Sequence, residues 1–269
     1  MKTTIHPTAI VHPKAKLGQG VVVGPFTLIE EDSEIGDRTM IGSHSLIRHH
    51  TRLGQDNQVH SYASLGDDPQ DLKYDGEETW LVIGDRNRIR EFTTLNRGST
   101  SGAGKTVIGS DCFVMAYAHI AHDCRLADGV VLANGATLAG HVHVGQRTVI
   151  GGLAAVHQYT RIGDMAFIGG KSAVSQDIPP FMLANGDRAK LHGPNVVGLK
   201  RAGLTREEIS ALKKAYQTIW RSGQRKESAV EAVEAEFGNL GPIVALLDFL
   251  RTTKRGVAGP GKRGEGDPE

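Results

Sequence analysis

Cysteine is almost missing: only Cys112 and Cys124 occur in 269 residues, so at most one disulfide could staple the fold. Two thiols of this kind read as free and buried, as in a reducing cytosol. No run of 18 or more apolar residues exists, and Met1 to Lys16 lacks the apolar core of a secretory leader. The expectation is a cytoplasmic protein without stable membrane insertion. Neither sign of charge is in excess, and a net charge of +1 argues against a dedicated nucleic-acid binder. The basic residues Lys254, Arg255, Lys262 and Arg263 fall in a Gly/Pro-rich end, and residues 254–269 are expected to be a disordered tail.

What is present is a beat of six. Ile5, Val11, Leu17, Val23, Ile29, Ile35, Ile41, Ile47, Leu53, Val59 and Leu65 recur at that interval, followed by Ile83, Ile89 and Leu95. The beat restarts at Ile108 and runs through Val114, Ile120, Leu126, Leu132, Leu138, Val144, Ile150, Val156, Ile162 and Ile168 to Val174. Six is too short for a helical repeat and suits one short strand plus one corner. Two residues before most beats sits a small side chain (Ala9, Thr27, Ser45, Ala118, Ala136, Ala154), as expected if both positions face a narrow interior. Gly often follows the beat, as at Gly18, Gly36 and Gly66, where a corner is expected to need positive φ. Three sides then close a coil of 18 residues, and residues 18 apart stack at about 4.8 Å. This pattern resembles the hexapeptide-repeat, parallel β-helix family, and that resemblance implies a left-handed coil. The expected class is mainly β: a left-handed parallel β-helix over residues 1–190, followed by a small α-helical C-terminal domain over 191–253.

Two stretches break the beat, 67–79 (DDPQDLKYDGEET) and 97–106 (RGSTSGAGKT). Both read as loops leaving the coil, and insertions in a rigid repeat are preferred carriers of function. Gly104-Lys105-Thr106 invites a phosphate-loop reading, which fails because Ser99 stands where that motif needs glycine. After Asn195 the pattern turns helical. Thr205 with Glu208 makes a capping box, and Ile209, Leu212, Tyr216, Ile219 and Trp220 follow on one face. Ser228 with Glu231 repeats the capping signature, Gly238 suits a stop, and 243–250 suits a third helix.

Twelve histidines are sorted by the 18-residue period. His122 stacks on Gly140 and Gln158, Asp123 stacks on His141, and His157 precedes Gln158. They should form one polar ridge about 10 Å high. A neutral imidazole can take a proton from a hydroxyl, so base catalysis fits. Metal binding competes, with His119 and His122 as tempting ligands. A three-residue step points those two toward different faces, which weakens that ligand set. No Ser elbow exists for nucleophilic acyl-enzyme chemistry.

The stretches QDLKY (70–74), IGDRNRIRE (83–91), AHIAHDC (118–124), LANGATLAGHV (132–142), IGGLAAVHQY (150–159) and GPNVVGLKRAG (193–203) closely resemble the acyl-[acyl-carrier-protein]:UDP-N-acetylglucosamine O-acyltransferases of lipid A biosynthesis. The similarity covers about residues 5–253. It implies direct transfer of a 3-hydroxyacyl chain from acyl carrier protein to the sugar 3-hydroxyl, with His122 as general base, Asp123 orienting it and the Gly140 N–H receiving the oxyanion. It implies that Asp71, Lys73 and His141 hold the sugar and its phosphate. His119, His157 and Gln158 would line the pocket, Asn195 and Arg201 would reach the nucleotide, and Gly170 would measure acyl length. A homotrimer is implied, with no metal and no cofactor beyond the phosphopantetheine of the carrier. Val197 departs from the acidic residue common in relatives. An N-acyltransferase of the same kind would carry a further N-terminal domain ahead of the first hexad. A γ-type carbonic anhydrase, marked by zinc, and a noncatalytic scaffold are the rival readings.

Overall fold

In the computed structural model residues 2–262 are described. Strands of two to five residues, most of them six positions apart, stack into three largely parallel sheets of 11, 9 and 8 strands. The first sheet also ends in one antiparallel pair, 182–185 with 190–194. Each strand pairs with the third one along the chain, as in Phe113↔Val131 and His119↔Thr137, so the period of 18 is the register itself. The product is a three-sided, left-handed parallel β-helix. From Val23 to Val174 the beat residues are buried in one continuous core, joined by Ala63, Ala118, Ala136, Ala154 and Ala166 at the small inward positions. Ile5 remains 45% exposed, because no coil lies beneath the first turn.

The glycines after the beat correct the expectation of positive φ: only Gly66, with φ +88, adopts it. A Cβ on Gly36 would stand 2.4 Å from the backbone of Gly54 in the next coil. Close stacking, not torsion, selects glycine there. Positive φ falls instead three residues after the beat, on Phe26 (58), His44 (56), Tyr62 (63), Asp123 (60) and His141 (61). Such torsions cost about 1 kcal/mol or more each. Ring stacking along one corner offsets part of this, with Phe26, His44, Tyr62, Phe92 and Tyr117 forming a ladder at 4.9–5.2 Å.

The two breaks are loops. They span 68–79 and 97–104, so Lys105 and Thr106 already belong to the strand Lys105–Ile108. The register consequently steps from Gln58 to Arg88 and from Arg88 to Phe113.

Among the described residues four α-helices follow the coil: α1 (Val196–Arg201), α2 (Arg206–Tyr216), α3 (Lys226–Phe237) and α4 (Gly241–Thr252). A π-turn, Gln217–Arg221, extends α2. The Thr205–Glu208 capping box forms on both sides. The second cap expected at Ser228 does not: α3 starts earlier, at Lys226, behind Arg225 with no side-chain cap. Tyr216 is buried, donates its hydroxyl to the Leu191 carbonyl at 2.9 Å and stacks with Trp220, so both are core.

The expected disorder of 254–269 is also corrected for the part described. Asp177 bridges to Val257 and Leu191 to Pro260, while buried Asp177 accepts from the Thr253 hydroxyl at 2.7 Å. Backbone pairing with the last coil orders this Gly-rich strap, a source of stability that composition does not register. Residues 263–269 of that expectation lie outside the described residues.

Candidate active site

The corner joining the second sheet to the third carries His122-Asp123, Gly140-His141 and Gln158-Tyr159 on three successive coils. His141 donates its backbone N–H to the His122 carbonyl and Tyr159 to that of Gly140, which fixes the stacking. The Gly140 N–H has no backbone acceptor among the described residues, a property of the first corner residue shared by Ser43 and Ser61. His122 lies over Gly140: a Cβ there would meet its Nε2 at 2.7 Å. Bare backbone at that rung gives the ring its place.

Asp123 is not on a strand, where neighbours would point apart, but on the corner with φ +60. Its carboxylate therefore turns back to His122, with Nδ1 to Oδ2 at 2.9 Å. The same carboxylate accepts from Ser99 N–H (3.0 Å), Ser99 Oγ (2.6 Å) and Ala103 N–H (3.1 Å). The Asp123 N–H donates to Thr106 Oγ1 at 2.8 Å. Burial alone would raise the Asp123 carboxyl. Hydrogen bonds from His122 and Ser99 and the charge of His141 outweigh it and hold the group below the usual carboxylate range. An ionised Asp123 fixes the His122 tautomer so that Nδ1 carries the proton and Nε2 is left to accept one.

His141 stands edge-on to His122 with ring centroids 5.0 Å apart and stacks flat on Tyr159 at 4.4 Å. Burial, partly opposed by Asp123, keeps His141 below the usual imidazole range, and burial does the same for His119. His119 faces out of the second sheet, one strand away, with Nδ1 2.7 Å from Thr94 Oγ1. Among the described residues His122, Asp123 and His141 could together hold a metal ion, whereas His119 does not join them. The Asp123 oxygens already take four donors, about the full capacity of a carboxylate, so a cation would have to displace one.

The remaining expected residues divide into two groups. Asp71 lies beside the corner through the second insertion, with Ser101 Oγ at 3.4 Å from its carboxylate, and its charge is felt by His141. Lys73 is exposed two residues on, its N–H bonded to Asp71 Oδ1 at 3.0 Å. His157 and Gln158 are exposed, with His157 Nδ1 3.1 Å from the Gln158 carbonyl. Gly170 is an exposed corner residue stacked on Gly152, whose carbonyl a Cβ would approach to 3.2 Å. Asn195 and Arg201 belong to α1 instead. Asn195 caps that helix and donates to the Met165 carbonyl at 3.0 Å, Arg201 is exposed in its last turn, and Val197 is 59% exposed. Neither Asn195 nor Arg201 hydrogen-bonds to the His122 cluster.

Ser99, Thr106 and Arg97 were not singled out for the site from sequence. A signal existed: counting on from the Leu95↔Ile120 pairing puts Arg97 one coil from His122.

Comparison with known proteins finds relatives over nearly the whole chain. A family described as UDP N-acetylglucosamine O-acyltransferase, domain 2, matches residues 177–258, and bacterial transferase hexapeptide repeats match 14–49 and 105–140. The acyl-[acyl-carrier-protein]–UDP-N-acetylglucosamine O-acyltransferase of Alkalilimnicola ehrlichii is 51% identical, over 95% of this chain and 99% of its own. That of Janthinobacterium sp. is 49% identical over 94% and 98%. The solved UDP-N-acetylglucosamine acyltransferase of Campylobacter jejuni superposes with a TM-score of 0.90 at 40% identity, covering 95% and 99% of the two chains. The chain is an acyltransferase and belongs to the acyl-[acyl-carrier-protein]:UDP-N-acetylglucosamine O-acyltransferase family.

Proposed function

We propose that the protein moves a 3-hydroxyacyl chain from acyl carrier protein to the 3-hydroxyl of UDP-N-acetylglucosamine, the first step of lipid A biosynthesis. One observation carries the reading: Asp123 holds His122 by Nδ1 at 2.9 Å while the ring's Nε2 packs over Gly140, whose N–H has no backbone acceptor among the described residues. Nε2 takes the proton of the sugar hydroxyl as its oxygen attacks the thioester carbon. The oxyanion that forms is received by the Gly140 amide, a donor worth about 2.7–4 kcal/mol. Collapse expels the phosphopantetheine thiolate, which takes the proton from His122. Transfer is direct, and the donor's own phosphopantetheine is the one prosthetic group the scheme requires.

Asp71, Lys73 and His141 hold the sugar and its phosphate in this reading. His119, His157 and Gln158 line the cleft, and Gly170 leaves room for the acyl tail. Asn195 and Arg201, tied to a separate helix, reach the nucleotide from a neighbouring subunit of a homotrimer. Support for such an assembly is the exposed ladder of Phe26, Tyr62, Phe92 and Tyr117, an apolar stripe suited to burial against another copy. A cytoplasmic location accords with a soluble carrier-borne donor; no helix of the described residues is long and apolar enough to cross a membrane.

The test is incubation with acyl carrier proteins of several chain lengths and with 3-hydroxyl and 3-amino sugar nucleotides, products being weighed by mass spectrometry. His122→Ala should lose about 10²- to 10⁴-fold in rate with the fold intact. Transfer that persists near the wild-type rate would remove His122 as the base.

A further inference from the structure

We propose that Arg97 is a positioning residue, clasping the first insertion so that Asp71 and Lys73 stand over the His122 corner. What the loop then binds rests on the acyltransferase reading above. Arg97 is fully buried, a rare and costly place for a guanidinium. Its Nη1 donates to the Gly66 carbonyl, and Nη2 donates both to the Asp68 carboxylate and to the Tyr74 hydroxyl, the latter at 3.0 Å. Its backbone N–H donates to the Asp67 carbonyl at 2.9 Å, and adjacent Asn96 Nδ2 donates to the Asp68 carbonyl at 2.8 Å. One side chain thus grips both the root of the insertion, 66–68, and its far turn at Tyr74.

Between those grips lies the segment of interest. Tyr74 N–H donates to the Asp71 carbonyl at 3.0 Å and Lys73 N–H to the Asp71 carboxylate, so residues 71–74 form one turn. Leu72 at its tip is wholly exposed, and no residue of 68–78 belongs to the hydrophobic core. Order must come from polar ties. Two lighter ones run to the second insertion, Thr100 Oγ1 to Glu77 at 2.8 Å and Ser101 Oγ to Asp71 at 3.4 Å. Arg97 supplies the buried, charge-assisted ones, which are the strong class. Lysine could not replace it, because a single ammonium cannot span a carbonyl, a carboxylate and a phenol. The second insertion is itself pinned by Asp123 through Ser99 and Ala103, so the grip begins two residues before Ser99, which is bonded to the catalytic corner.

Two variants of the full-length protein test this. Arg97→Lys keeps the charge and loses the fork. Tyr74→Phe removes the acceptor for Arg97 and a donor to the Glu77 carbonyl in a half-buried loop residue outside the coil, so the fold is not at risk. Steady-state rates at saturating acyl carrier protein should show KM for UDP-N-acetylglucosamine raised about 10-fold or more in Arg97→Lys and roughly 3- to 10-fold in Tyr74→Phe. The kcat, its pH profile and KM for the acyl donor should stay within about 3-fold. A fall in kcat with the sugar KM unchanged, or wild-type kinetics in both variants, would overturn the proposal. Trypsin cleavage after Lys73 supplies an activity-free reading and should speed up about 10-fold in each variant. If even the wild type moves no acyl group, the function is misassigned while the clasp is still judged: wild-type cleavage rates in both variants would reject it.

Discussion

A Cβ on Gly140 would stand 2.7 Å from both Nε2 and Cε1 of His122, so the imidazole occupies space that any other residue would fill. Gly140 has no positive φ, and its backbone would accept alanine. Gly140→Ala should therefore fold, with a melting temperature within about 4 °C of wild type. The added methyl displaces the ring, and a shift near 1 Å costs about 10²-fold in rate. Circular dichroism melts with a transfer assay check both halves; undiminished transfer would mean that the ring's seat is not needed.

Ser99 sets the charge environment of Asp123 through its hydroxyl at 2.6 Å and its N–H at 3.0 Å. Ser99→Ala deletes the hydroxyl donor and keeps the amide. The carboxylate loses one of the hydrogen bonds that hold it ionised against burial, and its grip on His122 Nδ1 is less firmly fixed. Neutral-pH rate should drop roughly 3- to 10-fold, equivalent to about 0.7–1.4 kcal/mol and within the range of one hydrogen bond. A neutral-pH rate equal to wild type would detach Ser99 from the His122–Asp123 pair.

Much of this was open to inspection in the sequence, because a repeat converts spacing into position. The His122, Gly140 and Gln158 stack needs only the number 18, and the registers obey it. What escaped was set by contacts that no period encodes. Arg97 and Ser99 act through loops whose paths depend on buried polar partners. The Asp123 orientation depends on a left-handed torsion at a non-glycine corner. The 254–262 strap orders by backbone pairing to Asp177 and Leu191, which its Gly-rich composition conceals.

The post-beat glycines separate two explanations that composition alone confuses. If close stacking selects them, Gly36→Ala must force a Cβ to within 2.4 Å of the Gly54 backbone and destabilise by about 1–3 kcal/mol or more. Gly241→Ala, at the start of α4 with nothing within 4 Å, should change stability by less than about 0.5 kcal/mol. Chemical denaturation midpoints compare them directly. Equal effects would refute stacking as the cause.

Acid should weaken the fold in two steps, and the sign follows from the direction of each shift. Burial holds His119 and His141 below their ordinary 6.5, and burial lowers His50 and His143 as well. Below pH 6.5 the unfolded chain therefore binds protons that the folded chain still refuses, and stability falls until the folded values are passed. Asp123, held below 3.8 against the pull of burial by His122 and Ser99, contributes stability that is present above that pH and lost as pH drops through its folded value. Denaturant unfolding from pH 7.5 to 5 should show declining stability, each such histidine adding at most about 1.4 kcal/mol per pH unit. His119→Gln with His141→Gln should flatten that decline while leaving the step below pH 3.8 in place. A wild-type stability independent of pH between 7.5 and 5 would show that these imidazoles are as easily protonated in the fold as out of it.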